Sequence, residues 1–323
     1  MLRHAATLFA LLRLGSGHAI GASHPHPRAV EGIQGVAIPN GFSHCFFYDD
    51  FSQPAGSQPS PSRWAFDLGH GYPGGPENWG TGEVQSYTSD PRNVAVTDRG
   101  TLKITPLRGA DGTWTSSRIE TTERWDIGCR KGDRMRIEAR IRLGDDPATK
   151  QLGMWPAFWA LGSEFRGDYS NWPGVGEIDI LESINGENKL WNVVHCGFAP
   201  GGPCNEPSGL SHIDQDFRRG VWHTIAWEVD RRHWPLAEDE KQEESMSWFV
   251  DGKKQWTLKQ SAVKNDTAWE ALAGGKKMLL LNVAVGGGFP DAVAGIKTPT
   301  NETVGGQGAS MEVDYVAAYI KLL

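Results

Sequence analysis

The sequence predicts an all-β fold, and three observations carry that prediction. Short runs of alternating apolar and polar residues occur from Asp50 onward, and alternation with a period of two is typical of half-buried strands. Turn-forming residues interrupt these runs, and the chain of 323 residues holds 40 Gly and 19 Pro. Sustained helical periodicity is missing apart from one short segment. Many short strands with frequent turn signals favour a sandwich or barrel.

Individual strands follow from the alternation, and one helix follows from its end signal. The clearest strand patterns lie at residues 93–96, 101–104, 134–141 and 222–229. Residues 262–274 can hold one short helix, because a Gly-Gly pair at 274 and 275 gives a typical helix end. Neither an internal repeat nor a second domain is visible. Residues 44–323 are therefore predicted to form one domain.

Charge and composition narrow the range of partners. The formal net charge of −7 argues against nucleic acid and against an anionic membrane surface, both of which need basic patches. The sequence holds 14 Trp. Most of these rings are expected to pack in the core, but a large flat indole also stacks well on a sugar ring. We expect a monomer that contacts carbohydrate.

The N-terminal region predicts secretion. Residues 1–22 combine a positive start, a short apolar run and small residues, which is typical of a signal peptide; a disordered tail is the alternative. Residues 23–43 are polar and rich in Pro and Gly, and predict a flexible lead-in. Glycosylation sequons begin at Asn265 and Asn301 and agree with a secreted protein. The acidic run at 237–244 predicts a solvated loop.

Four cysteines allow three disulfide pairings. Cys196 and Cys204 bracket a loop rich in Gly and Pro, which brings its two ends together, so we favour this pair. Cys45 and Cys129 are then paired by elimination. The spacings do not fit paired Cys-x-x-Cys zinc ligands.

The segment at 177–182 holds three acidic residues that predict a reactive site. A strand turns Glu177 and Asp179 to one face and the isoleucines between them to the other. Unbroken alternation would bury Glu182 in the core, where an unpaired carboxylate is expensive. One extra residue, a β-bulge near 180–181, brings Glu182 beside the other two acids. The alternative is an exposed edge strand with acidic side chains.

Two neighbouring carboxyl groups are what a retaining glycosidase needs. One attacks the anomeric carbon, while the other protonates the leaving oxygen and then activates water. An ionised neighbour raises the pKa of the second carboxyl group and keeps it protonated near neutral pH. Asp179, between the two, can share a proton with Glu177.

The hexapeptide Glu-Ile-Asp-Ile-Leu-Glu at 177–182 resembles the signature of glycoside hydrolase family 16, in the bulged form of laminarinases and endo-1,3(4)-β-glucanases. The resemblance extends over nearly the whole chain after about residue 45. Other segments that follow the order of the family lie at 83–87, 93–94, 100–102, 117–119, 155–159, 222–224, 250–252, 281–287 and 313–316.

This resemblance implies a concanavalin-like β-jelly-roll sandwich of two curved antiparallel sheets with a concave substrate cleft. It implies that Glu177 is the nucleophile, that Glu182 is the general acid/base and that Asp179 assists. Hydrolysis with retention and without an organic cofactor is expected. The segment at 160–171 and the loop between the paired cysteines are longer than in compact relatives, and we expect both near the cleft.

Further candidates surround the three acids Glu177, Asp179 and Glu182, which we call the acidic row. Similar enzymes line their sugar subsites with tryptophans at the places of Trp159 and Trp172, and core packing is the alternative. Trp155 is ambiguous, because a proline follows it. Arg118 could bind sugar hydroxyls or the carboxylates, or lie on the surface. His195, on the expected neighbouring strand, could orient an acid or be merely structural.

Asp314 matches a position that helps to hold a structural calcium in similar proteins, so the resemblance implies a possible calcium site there. The leading function is endo-acting hydrolysis of β-1,3(4)-glucan. Transglycosylation uses the same carboxylates and is the enzymatic alternative. A glucan-binding, lectin-like protein without activity is the non-enzymatic one.

Overall fold

The computed structural model describes residues 36–232 and 243–322. The predicted signal peptide at 1–22 and most of the lead-in at 23–43 lie outside these residues, as does most of the acidic run at 237–244. Within the described ranges, no helix is both long enough and apolar enough to cross a membrane.

Strands account for most of the regular structure. They are β1 (His44–Asp49), β2 (Trp64–Asp67), β3 (Gln85–Tyr87), β4 (Val94–Val96), β5 (Leu102–Ile104), β6 (Leu107–Arg108), β7 (Trp114–Ser116), β8 (Arg118–Thr121), β9 (Arg134–Leu143), β10 (Met154–Gly162), β11 (Glu177–Glu182), β12 (Leu190–His195), β13 (Leu210–Asp214), β14 (Trp222–Asp230), β15 (Ser245–Val250), β16 (Lys253–Lys259), β17 (Lys277–Val285) and β18 (Met311–Lys321). The helices are α1 (Gln260–Val263), α2 (Asp266–Ala273) and α3 (Gly288–Ala294). Short 3₁₀ turns occupy Glu77–Gly80, Glu123–Trp125, Ala148–Lys150, Ser163–Phe165 and Gln307–Ala309.

Two large antiparallel sheets organise these strands. The eight-stranded sheet has the order β16-β15-β14-β9-β18-β5-β4, with β1 also paired to β18. The seven-stranded sheet has the order β13-β12-β11-β10-β17-β8-β2. A small third sheet, β3-β7-β6, contains a parallel pair. The predicted all-β sandwich is confirmed.

The apolar core lies between the two large sheets. Both contribute fully buried side chains to one cluster, among them Ile137 and Trp227 from the eight-stranded sheet and Phe158, Ile178 and Leu281 from the seven-stranded sheet. Burial of each such side chain stabilises the fold by roughly 1.5–3 kcal/mol. Trp248 on β15 donates its indole N–H to the carbonyl oxygen of Asp179 at 3.2 Å. This bond crosses the core and ties the acidic strand to the opposite sheet.

The predicted elements are confirmed, with small changes of boundary. All four strand patterns are strands, β4, β5, β9 and β14. The helix expected at 262–274 is α2, which begins four residues later and ends before Gly274. It begins there because the Asn265 side chain accepts a hydrogen bond from the Ala268 N–H, as an N-cap residue does. Helix α3 was not predicted from the sequence.

One of the two predicted disulfides is confirmed and the other is wrong. Cys196 and Cys204 are bonded. Cys45 and Cys129 are buried free thiols. Their sulfur atoms contact different backbone carbonyls, that of Phe47 for Cys45 and that of Val229, among others, for Cys129. Pairing by elimination failed because it contains no information about distance.

Candidate active site

Strand β11 contains the bulge that the sequence predicts. Against β10, Phe158 pairs with Leu181 and Trp159 pairs with Asp179, so Ile180 is the extra residue. The register against β12 shifts over the same stretch. Both residues of the bulge are fully buried in the core. An inserted residue of this kind reverses the alternation of the side chains that follow it.

The bulge brings the three acids to one face. Glu177, Asp179 and Glu182 line the same cavity of about 340 Å³. The cavity lies on the side of the seven-stranded sheet that faces away from the core, and its volume is typical of small-molecule sites. The alternative of an exposed acidic edge strand is wrong, because β11 is an interior strand between β10 and β12.

Indole N–H groups hold the two glutamates in place. Trp172 Nε1 donates to Glu177 Oε2 at 3.0 Å. Trp155 Nε1 donates to Glu182 Oε1 at 2.7 Å. Each glutamate therefore has one donor from a neutral ring, and this assigns the ambiguous Trp155 to the site.

Asp179 is more deeply enclosed than its two neighbours. It is 3% exposed, and its Oδ2 atom accepts no hydrogen bond from the residues that the structure describes. The nearby nitrogen is His195 Nε2 at 3.7 Å. Burial first, and then the charges of Glu182 and Glu177, raise the pKa of Asp179 well above its usual value. The surroundings of Asp179 therefore favour its protonated form.

The two glutamates differ in how strongly their charge is supported. Burial raises the pKa of Glu182 to about 7, against the hydrogen bond from Trp155 and the charge of His195. Burial also raises the pKa of Glu177, but His195, Trp172 and Arg118 all act in the opposite direction. The pKa of both glutamates is therefore raised, but more neighbours support the negative charge on Glu177, so Glu182 is the better placed of the two to hold a proton.

His195 lies opposite Glu177 on strand β12. Its Nδ1 atom is 2.7 Å from Glu206 Oε2, and its Nε2 atom faces Asp179. Glu177, Asp179 and His195 each bring one polar atom within 4.8 Å of the others. No metal is assigned to this cluster.

Arg118 lines the cavity without bonding to the acidic row. Its Nε atom donates to Asp67 Oδ2 and its Nη2 atom to the Tyr72 hydroxyl, both at 2.9 Å. Its guanidinium carbon lies 4.6 Å from the ring centre of Trp79 and 4.8 Å from that of Trp159. The residue is 5% exposed, so the alternative of a surface arginine is wrong. Its contacts hold two aromatic walls of the cavity together.

Trp159 also lines the cavity. Its indole N–H donates to Asn282 Oδ1 at 2.8 Å, and Asn282 in turn donates to the Tyr87 hydroxyl at 3.1 Å. That hydroxyl donates to the buried carboxylate of Glu83 at 3.0 Å. A chain of hydrogen bonds along the cavity wall therefore fixes the ring of Trp159.

The remaining walls come from residues that sequence reasoning missed. Tyr72, Trp79, Glu83, Tyr169 and Asn282 all line the cavity. Asn282 carried a usable signal, because it is a polar residue within the otherwise apolar strand β17. The Gly- and Pro-rich loop around Trp79 carried none. Tyr169 belongs to the long segment at 160–171, so the expectation that this segment lies near the cleft is confirmed.

Asp314 lies on a different sheet from the acidic row. It lies on β18 of the eight-stranded sheet, at a register shift between Val313 and Tyr315. Its Oδ2 atom accepts a hydrogen bond from Arg140 Nη1 at 2.7 Å. A calcium ion needs six to eight oxygen ligands, and this carboxylate already bonds a guanidinium through one of its two oxygens. The arrangement does not favour calcium, and an ion at Asp314 stays a prediction.

Known proteins resemble the chain over the site and over the whole fold. A family model described as XgeA-like, catalytic GH16 domain, matches residues 146–205, which include the acidic row. An endo-1,3-beta-glucanase from Streptomyces sioyaensis with a crystal structure is 42% identical; the match covers 89% of this chain and 99% of that one, with a TM-score of 0.81.

Curated relatives agree at lower identity. Glucan endo-1,3-beta-glucosidase of Cryptopygus antarcticus is 29% identical over 287 residues, which is 85% of this chain and 93% of that protein. Glucan endo-1,3-beta-glucosidase A1 of Niallia circulans is 28% identical over 290 residues, and the match spans 84% of this chain but 37% of that protein. The bulged acidic strand, the two-sheet sandwich and the 42% identical relative together show that this chain belongs to glycoside hydrolase family 16.

Proposed function

We propose that the protein is an endo-acting β-1,3-glucan hydrolase that cleaves with retention by double displacement. The observation that carries the proposal is that Glu177 and Glu182 share one cavity, in which the pKa of Glu182 is raised to about 7 while three neighbours support the charge of Glu177. The named relatives are endo-1,3-β-glucanases, which favours β-1,3-glucan over other polymers. Mixed β-1,3(4)-glucan is the next candidate.

In the first step, the Glu177 carboxylate attacks the anomeric carbon of a bound sugar. Glu182 gives its proton to the glycosidic oxygen, the bond between that oxygen and the anomeric carbon breaks, and the leaving chain departs as an alcohol. The product is a glycosyl ester of Glu177. The raised pKa of Glu182 supports the role of proton donor, because a general acid must keep its proton at working pH.

In the second step, the ionised Glu182 takes a proton from water while the water oxygen attacks the anomeric carbon. The ester bond to Glu177 breaks, and the β configuration is restored. Asp179 holds a proton between the two glutamates and limits the repulsion when both are ionised. Trp159 and Trp172 offer ring faces to the sugar, and Arg118 keeps its aromatic neighbours in position.

The reaction uses only side chains and water, so it needs no organic cofactor. A calcium ion at Asp314 would act on stability alone, because that residue lies on the other sheet. Secretion belongs to the same proposal, since the Cys196–Cys204 disulfide is of a kind that persists in oxidising compartments.

The test is product analysis on laminarin, lichenan and a β-galactan. We expect early release of mixed oligosaccharides from laminarin, and nuclear magnetic resonance (NMR) should detect the β anomer first. Binding without cleavage of any polymer would favour the lectin alternative. Products longer than the substrate at high oligosaccharide concentration would favour transglycosylation, and the α anomer first would exclude retention.

A further inference from the structure

Glu206 is a buried carboxylate that the reaction above does not use. It is 4% exposed and is not among the residues that line the cavity. It follows the disulfide-closed loop by two residues, and its backbone pairs with Gly201 inside that loop. A carboxylate in such a place is expensive unless its oxygens are bonded, so its contacts indicate its role.

Both oxygens of Glu206 are bonded to the end of strand β12. Oε1 accepts the backbone N–H of Cys196 at 2.8 Å. Oε2 lies 2.7 Å from Nδ1 of His195. Because Cys196 also forms the disulfide with Cys204, the loop that carries Glu206 is covalently closed beside the histidine it contacts.

These contacts require a hydrogen on Nδ1 of His195, whether the ring is neutral or protonated. An ionised carboxylate can only accept hydrogen bonds, so Nδ1 must be the donor to Glu206. The ring is then oriented with Nε2 toward Asp179 Oδ2, at 3.7 Å. That oxygen has no hydrogen-bond partner in the part of the chain that the structure describes. Glu206, His195 and Asp179 therefore lie in line, and Asp179 is the member of this line that belongs to the acidic row.

The charges around His195 favour its protonated form. Burial lowers the pKa of His195, but the hydrogen bond to Glu206 and the charges of Glu177, Glu206 and Glu182 outweigh burial, so that its pKa is raised. Asp179 is the remaining acid on the facing strand, and its raised pKa favours the uncharged form. The other close neighbour is the neutral ring of Trp172, at 5.6 Å between ring centres. In return, the His195 charge lowers the pKa of both Glu177 and Glu182.

We propose that Glu206 is a positioning residue that fixes the His195 ring through Nδ1 and keeps it cationic beside the catalytic carboxylates, thereby setting the alkaline limit of activity. The inference rests on the proposed function for its kinetic consequence only. Glu206 touches no substrate and acts entirely through His195.

The test compares Glu206→Gln with Asp251→Asn. The control removes a carboxylate with the same 2.7 Å contact to a histidine Nδ1, that of His223, on the eight-stranded sheet. For Glu206→Gln, we expect the His195 titration to move to lower pH by about one unit. The alkaline limb of kcat should move to higher pH, because Glu182 loses the cation that lowers its pKa. KM should change by less than about twofold, and Glu206→Asp should restore the wild-type profile in part.

These opposite shifts separate positioning from a merely structural role, which would lower kcat without moving either titration. An unchanged His195 titration, or an alkaline limb that stays in place, would overturn the proposal. If Glu206→Gln does not fold, ¹⁵N NMR of the wild type decides: the neutral His195 ring must carry its hydrogen on Nδ1, and hydrogen on Nε2 overturns the proposal. The NMR signals need no substrate. If the wild type cuts no glucan but the His195 titration still moves as expected in Glu206→Gln, the proposed function is contradicted and the positioning role of Glu206 is not.

Discussion

Two sets of buried acidic side chains, one on each large sheet, have different partners. On the eight-stranded sheet, Glu228 contacts Arg134 and Arg136, and Glu312 contacts Arg99 and Arg142. On the seven-stranded sheet, the acidic row receives hydrogen bonds from indole N–H groups and faces one histidine. No arginine or lysine among the described residues forms an ion pair with that row.

The partners decide where the protons are. Burial raises the pKa of Glu312, but hydrogen bonds from Thr101, Arg142 and Arg99 outweigh burial and leave its pKa below the usual value. Burial raises the pKa of Glu182 to about 7, and the Trp155 N–H does not compensate. At Glu312 the two arginines fix the carboxylate as a charge, whereas Glu182, which has no such partner, is a carboxyl group that can give and take a proton. We infer that stability favours the first arrangement and catalysis the second.

The largest expected effect follows from removing an acid from the row. Glu177→Gln deletes the proposed nucleophile, and we expect kcat on laminarin to fall by roughly 10⁴- to 10⁶-fold. Glu182→Gln removes the proton donor and should cost roughly 10²- to 10⁴-fold. Initial rates of reducing-end release measure both. Glu312→Gln, on the other sheet, is the control and should keep kcat within about twofold. A Glu177→Gln protein with a tenth of wild-type activity would contradict the assignment.

The second effect is a dependence of stability on pH that comes from the acidic row. The pKa of Glu182 rises from 4.5 to about 7 on folding, so the native state binds more protons than the unfolded state between these values. Stability contributed by this group is present below pH 4.5 and is lost as pH rises through 7. We expect the full loss to be of the order of 3 kcal/mol in the free energy of unfolding.

Urea unfolding of the wild type and of Glu182→Gln at pH 5 and pH 7.5 checks this expectation. The variant should lose less stability than the wild type over that interval, because an amide does not titrate. Glu312 has the opposite sign: its lowered pKa contributes stability above pH 4.5 that is lost as pH falls. Equal losses in wild type and Glu182→Gln would show that Glu182 is ionised at a normal pH.

The acidic row could be predicted because the physical causes of its geometry are local in the sequence. Alternation along β11 and the cost of burying Glu182 together require a bulge, and both can be inferred from six consecutive residues. The likeness of the flanking segments to a known family then gave the order of the strands. Trp172, five residues before Glu177, was predicted from its place in the same family.

The rest of the site depends on contacts between distant parts of the chain. Trp79 reaches the cavity from a loop in which it adopts a positive φ of 57°, a conformation that no sequence signal at a tryptophan predicts. Glu206 meets His195 only because a disulfide folds the intervening loop. For Cys45 and Cys129 the prediction failed in the opposite way: a contact was inferred that the fold does not make, because the sequence does not say how far apart the two cysteines lie.

A third prediction concerns the eight-stranded sheet. Glu312→Gln leaves the guanidinium groups of Arg99 and Arg142 without their carboxylate, and we expect the free energy of unfolding to fall by about 2 kcal/mol. Urea unfolding at pH 7 measures the change. Glu302→Gln, which breaks the exposed pair with Lys150, is the matched control and should change stability by less than about 0.5 kcal/mol. Similar values for the two variants would mean that the pairs of the buried Glu312 contribute no more than the exposed pair.

The smallest effect tests whether the partners of Glu312 are redundant. Arg99 is 57% exposed at its side chain, so Arg99→Ala removes a solvent-screened contact while Arg142 and the Thr101 hydroxyl still hold the carboxylate. We expect a loss below about 1 kcal/mol at pH 7, and a smaller loss in 1 M salt because the contact is screened. A loss as large as that of Glu312→Gln would mean that Arg99 alone neutralises the buried charge. The contrast between Glu312 and the acidic row would then depend on a single cation, Arg99, just as His195 is the single cation that the acidic row faces.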